Sequence, residues 1–222
     1  MTSFTPEERR LLRTLKTPER IQLFLDEEVG YNKEPHGETC GSPRRVLNER
    51  AAHCFEGALM AAAAMRFHGR PPLVLQLRAE RDDDHVLALF RERPDGGAWG
   101  AVAKSNYAGL RFRAPVYRSL RELAMSYFEQ YYNLRAEKSL RSYCRPVNLS
   151  RFDARGWEIA DEELWDVSDH LATRDFLPLV SGAQIRQLGL LDRRLYEAGL
   201  HGSMGIKPLR YGTRPKRRAP TS

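Results

Sequence analysis

Asn48-Glu49-Arg50-Ala51-Ala52-His53-Cys54-Phe55-Glu56-Gly57-Ala58-Leu59-Met60 is the stretch on which the reading of the chain turns. It sets a cysteine at the mouth of an alanine-rich segment in which Ala58, Ala61, Ala62 and Met65 recur at helical spacing. The pattern predicts a helix from Cys54 through Met65, its small side chains allowing close approach to a sheet. Gly69 supplies a C-cap and Arg70-Pro71-Pro72 blocks continuation. Three short apolar runs follow, 72–79, 85–91 and 98–104, and read as strands. The second opens on His85, after Asp82-Asp83-Asp84. Pro94-Asp95-Gly96-Gly97 between the second and third is a hairpin turn with two glycines able to take positive φ. Antiparallel pairing of these two strands brings the start of one to the end of the other, so His85 is expected to meet Ser105 or Asn106.

That order suits a thiol nucleophile with an imidazole base. Unpaired amides and the macrodipole at a helix N-terminus favour thiolate over thiol, and the same amides can hold an oxyanion. Cys54 is therefore the expected nucleophile and His85 the base. The Cys54 amide and the Asn48 side chain, six residues upstream, are the expected oxyanion donors. Consecutive helical residues point about 100° apart, so His53 is expected to form cleft wall. Glu56, in the first turn, should stabilise the helix start and, as an anion, slightly oppose thiolate formation.

The segment Ala52-His53-Cys54-Phe55-Glu56-Gly57-Ala58 through Phe67-His68-Gly69-Arg70-Pro71-Pro72-Leu73-Val74, then His85 and Trp99, resembles the core of transglutaminase-like cysteine enzymes. The resemblance covers about a quarter of the chain. It implies an α+β, papain-like fold with the cysteine helix packed on an antiparallel sheet, and an acyl-enzyme chemistry on amide, peptide or thioester carbonyls. Cores of this kind place an acid after the strand tryptophan, where this chain has Ala103, Lys104, Ser105 and Asn106, and no Asp or Glu occurs between Asp95 and Glu122. Asn106 is then the expected imidazole partner, as in Cys-His-Asn enzymes. Ser105 is the alternative, and it shares a face with Trp99 on strict alternation. Trp99, Lys104, Ser105 and His53 are expected to line the substrate cleft. Cys54-Phe55-Glu56 is also similar to the Cys-Phe-Glu step of arylamine N-acetyltransferases, but the Arg-Gly-Gly that precedes it there is absent. A non-catalytic binding module on the same fold is the reading from another class.

The 222 residues, 41% hydrophobic, suffice for one sizeable core. One domain is expected over 1–205, with a core at 43–135, a C-terminal helical part at 150–200 and a basic, mobile tail at 206–222. Thr5-Pro6 and Thr17-Pro18 read as helix starts, as does Ser42-Pro43. Between the last two, the Gly/Pro-punctuated stretch from Tyr31 to Pro43 reads as an ordered loop running toward the site. The stripe Leu120, Leu123, Ala124, Tyr127, Phe128, Tyr131 predicts one helix over 118–133. Leu140 to Val147 reads as extended or turn, and helices are predicted over 161–174 and 183–198.

Cys40, Cys54 and Cys144 make an odd count without Cys-x-x-Cys spacing, against both a disulfide framework and a tetrahedral zinc site. Consecutive Asp82-Asp83-Asp84 lacks the ligand spacing of a calcium loop and reads as a solvated turn. No metal or cofactor is expected. With no apolar run of about 18 residues and no signal-type start, a cytoplasmic protein without a membrane partner is expected. The net charge of +7 is partly local to Arg210, Arg214, Lys216, Arg217 and Arg218. That tail suits at most a weak acidic partner, and nucleic acid is not expected because no recognition motif accompanies it.

Overall fold

Thr5, Thr17 and Ser42 each precede a proline, and each side chain accepts a hydrogen bond from the amide three residues on. This starts helices α1 (Pro6–Thr14), α2 (Pro18–Glu27) and, after strand β1 (Gly30–Tyr31), α3 (Pro43–Glu49). Proline fits here because its missing N–H would have no intrahelical acceptor. A short strand β2 (Ala51–Ala52) pairs parallel with β1 and feeds α4 (Cys54–Phe67). Then come β3 (Leu73–Ala79), β4 (His85–Arg93), β5 (Gly96–Val102), β6 (Arg113–Tyr117), α5 (Leu120–Met125), β7 (Leu140–Cys144), β8 (Val147–Asn148), α6 (Trp165–Ala172), β9 (Phe176–Pro178), α7 (Gly182–Gln187) and α8 (Arg193–Gly199). This is a computed structural model and describes residues 4–93 and 95–200.

The main sheet is antiparallel, in the order β6-β5-β4-β3-β7-β9, with β8 pairing the start of β3. Both of its faces are covered. Val74, Val86, Ala88, Phe90 and Val102 face the helices that precede β3, together with Leu149, Trp157, Val167 and Leu171 from the later part of the chain. Leu75, Leu77, Leu87, Leu89, Ala101 and Ala103 face α5 and the residues after it. The continuous apolar runs of β3 and β4 follow from this double burial. Every residue of α4 from Phe55 to Met65 is buried, so its alanines serve the whole circumference and not one stripe.

Gln22 of α2 ties this helix layer to the end of β5. Its Nε2 donates to Ala103 O and its Oε1 accepts from Ala103 N, both at 3.0 Å, in a buried setting. Gln22→Leu keeps the approximate shape but strands both backbone groups, so a loss of about 3 kcal/mol is expected in denaturant unfolding.

Several elements differ from the sequence reading. The helix expected over 118–133 stops at Met125 and resumes as a 3₁₀ turn at Phe128–Gln130. Arg113 causes the break: its guanidinium donates to both Ser126 Oγ (2.9 Å) and Ser126 O (3.2 Å), taking the carbonyl that Gln130 N would need. Gln130 N bonds Tyr127 O instead. The apolar stripe is still buried at Leu123, Ala124, Tyr127, Phe128 and Tyr131. The helix expected over 183–198 is two, α7 and α8. Leu188 is extended, Leu191 N bonds Ala136 O, and Asp192 caps α8. Leu140–Cys144, read as extended or turn, is extended: a strand beside β3, with β9 on its far side. The helix expected over 161–174 is shorter, as α6. The basic run from Arg210 to Arg218 lies outside the described residues. Among those described, no helix is long and apolar enough to cross a membrane.

Candidate active site

Cys54 is the first residue of α4, so by position its N–H has no acceptor within the helix. His53 caps the helix: its Nδ1 accepts from Phe55 N–H (3.2 Å) and its Nε2–H donates to Thr39 O (2.8 Å). Glu56 closes the turn from the other side. Its buried carboxylate accepts from His53 N (3.0 Å), Gly41 N (3.0 Å), Thr39 Oγ1 (2.8 Å) and Asn32 Nδ2 (3.3 Å). One acid thus fixes both the start of α4 and the 32–41 loop, a wider role than the helix-start stabiliser expected from sequence.

His85, the first residue of β4, lies opposite Leu77 and is buried against Tyr127 and Tyr131, ring centroids 6.5 and 6.4 Å away. Its Nε2 lies 2.9 Å from Leu110 O. A carbonyl only accepts, so Nε2 carries the proton, and in the neutral ring Nδ1 is left as acceptor. Leu110 ends a 3₁₀ turn (Ala108–Leu110), which Arg113 holds through Gly109 O (2.7 Å) and Tyr127 through Arg111 O (3.0 Å). The Cys54 sulfur lies 3.7 Å from Asp84 O, immediately before His85.

The electrostatics of the three cysteines differ sharply. Burial pushes the Cys54 thiol up, but hydrogen bonds to His53 and then His85, with the positive field of both rings, outweigh it and bring the thiol down to about 6. Burial lowers His53, yet the hydrogen bond and charge of Cys54, then Glu56 and the Thr39 carbonyl, raise it to about 9. Cys40 is pushed up to about 12, chiefly by burial, and Cys144 is raised for the same leading reason. All three thiols are free.

No protein-family model matches the sequence, and no curated protein is significantly similar to it.

The other residues singled out in the sequence separate into those at the site and those away from it. The register Ala88↔Val102 runs on toward His85 and Ser105, as antiparallel pairing requires. Yet His85 takes the Leu110 carbonyl as partner, in place of Asn106 or Ser105. Ser105 is buried, its Oγ accepting from Tyr107 N. Asn106 lines an adjoining cleft of about 650 Å³ together with Ser105, Tyr31, Asn32 and Tyr107. Lys104 is buried away from the cleft, its ammonium donating to Leu25 O in the last turn of α2 and to Val29 O just past it. Trp99 pairs with Arg91 far along β4 and carries that guanidinium over its ring at 3.8 Å, so it is no cleft residue. Asn48 is exposed on α3. Asp84 is less a solvated charge than a clamp, accepting from Gln76 Nε2 (2.7 Å) and Ala79 N (2.9 Å). Among the described residues no group of three or more His, Cys, Asp or Glu is placed to hold a metal ion.

The orienting group on His85 was invisible in the sequence because it is a backbone carbonyl, which leaves no residue type to find. With the partner at Leu110, Asn106→Ala is expected to leave the pH midpoint of Cys54 alkylation unchanged and its rate within about twofold, a change no larger than surface substitutions usually bring.

Proposed function

We propose that this chain is a cysteine enzyme of papain- or transglutaminase-like core that forms an acyl-enzyme on Cys54, with His85 as base. The observation that carries this reading is a cysteine at the first position of a buried helix, between two imidazoles that lower its thiol to about 6. Burial alone would have the opposite effect, so the site is arranged to hold a thiolate.

The geometry divides the roles. His53 is tied to the backbone at the Phe55 amide and the Thr39 carbonyl, and it leads the groups that lower Cys54. His85 keeps Nδ1 free of any backbone partner, and we assign it the proton. In the reactive pair the Cys54 proton already sits on His85 Nδ1, and the thiolate sulfur attacks the carbonyl carbon of an amide, peptide or thioester. The oxygen takes the negative charge, facing the Cys54 N–H. Collapse breaks the bond to the leaving group, which receives the proton from His85, and leaves a thioester. Water or an amine then attacks that carbonyl, His85 takes its proton, and the sulfur is released as thiolate beside the protonated ring. The free cysteines suit a cytoplasmic setting.

Incubation with an activated ester or thioester, followed by intact and peptide mass measurement, should show one acyl group on Cys54, absent in Cys54→Ser. Acylation spread evenly over the three cysteines, or none, would end the enzyme reading. The second reading, a binding module without chemistry, draws on one observation: His85 is oriented by a carbonyl and, among the described residues, by no carboxylate or amide side chain.

A further inference from the structure

The cleft does not include Cys54 or His85 in its lining but reaches toward them through Tyr31, whose hydroxyl feels the Cys54 charge, and it is lined by both charges, most of them already matched. Arg81 faces Glu137 at 3.4 Å, and Glu34 accepts from Thr39 N at 2.7 Å. Asp82 accepts from Ser139 Oγ (2.5 Å) and Asp83 N (3.1 Å). Arg135 is different. It lines the cleft and is half-buried, and its guanidinium has no acid, carbonyl or ring partner among the described residues.

The turn that presents it is built with care. Asn133 is buried, its Oδ1 accepting from both Arg135 N (2.9 Å) and Glu137 N (3.1 Å). Its Nδ2 donates to Glu137 Oε2 (2.9 Å), the same carboxylate that engages Arg81. Ala136 is fully buried at φ +61°, a conformation an alanine keeps only when its surroundings impose it. Leu191 N reaches back to Ala136 O at 2.8 Å. A rigid, hydrogen-bonded turn thus holds an unmatched guanidinium, a planar fork suited to two carboxylate oxygens, at the wall of the cleft. Lys33 also lines the cleft, and of the acids there Asp82 and Asp83 have no ion-pair partner among the described residues, Asp83 being exposed on the turn before His85. Its presence makes a polyanion a poor fit and favours a ligand with one carboxylate.

We propose that Arg135 anchors a carboxylate on the acyl donor, so that the substrate class is amides or thioesters bearing a single carboxylate at a distance from the scissile carbonyl. This rests on the Cys54 acyl-enzyme reading for its location, and the test keeps the two apart.

The probes are N-(carboxyalkyl)maleimides of increasing spacer length and uncharged N-alkylmaleimides of matched length, with rates read at Cys54 by peptide mass mapping. In the wild-type protein at least one carboxylated reagent should outpace its neutral match. In Arg135→Gln that preference should fall about fivefold, the size of one partly exposed charge pair. Arg135→Lys should retain part of it, and the neutral rate should stay unchanged in both, which also shows that they fold. Arg10→Gln, on exposed α1, controls for the general attraction of a basic protein. A carboxylate preference indifferent to Arg135 at every spacer length overturns the anchor. Slow reaction of Cys54 with all reagents, neutral ones included, overturns instead the activated-thiolate reading.

Discussion

Replacing His85 by alanine should slow acylation of Cys54 by an activated ester by about 10²–10⁴-fold, the usual worth of a positioned general base. It should also move the pH midpoint of Cys54 alkylation upward, because His85 is one of two rings that hold the thiol down to about 6. The sign is fixed by the charge types: a lowered thiol is thiolate above about 6 and thiol below it, so removing a positive neighbour shifts reactivity to higher pH. His53→Ala makes the informative contrast. His53 ranks ahead of His85 among the groups that lower Cys54, so its loss should move the midpoint at least as far. But its nitrogens bond Phe55 N and Thr39 O, so above both midpoints it should cost less of the acylation rate than His85→Ala. Equal losses at high pH would mean that the proton passes through His53.

Gly57→Ala should destabilise the fold by about 3 kcal/mol in denaturant unfolding, as severe overpacking does. Helix propensity argues the other way, since alanine in place of glycine inside a helix gains about 1 kcal/mol. Position decides the contest. A Cβ on Gly57 would sit 2.4 Å from Lys104 Cβ, next to the backbone and not at the end of a flexible chain. Lys104 in turn is held by Leu25 O and Val29 O, so it has nowhere to withdraw. Gly57 is therefore the point at which α4 touches the chain leaving β5, one turn from Cys54 and one residue from Ser105. A stabilised Gly57→Ala would mean that the two segments do not meet this closely.

Where sequence reasoning succeeded, the signal was local or periodic. The cysteine at a helix mouth, the three successive strands and the Gly-Gly turn are all short-range patterns, and they place Cys54 and His85 near one another without tertiary knowledge. Trp99 and Lys104 were put in the cleft by resemblance alone; in the structure Trp99 belongs with Arg91 and Lys104 with the end of α2. The helix expected over 118–133 broke because Arg113 captures the Ser126 carbonyl, an interaction between segments 13 residues apart that no helical period encodes. Strand β7 reads in the sequence only as extended or turn, because its partners β3 and β9 lie far off in sequence on either side. Arg135 carried no signal at all, since only the surrounding hydrogen bonds distinguish it from other surface arginines.

The most direct test is the rate of alkylation by iodoacetamide at each cysteine as a function of pH, resolved by peptide mapping of the native protein. Cys54 should react far faster than Cys40 or Cys144 and reach half its plateau near pH 6, where its thiol titrates, while the other two, buried and raised, stay slow throughout the neutral range. Three equally slow cysteines, or a Cys54 profile that rises only with an ordinary thiol, would contradict the thiolate on which the proposed chemistry stands.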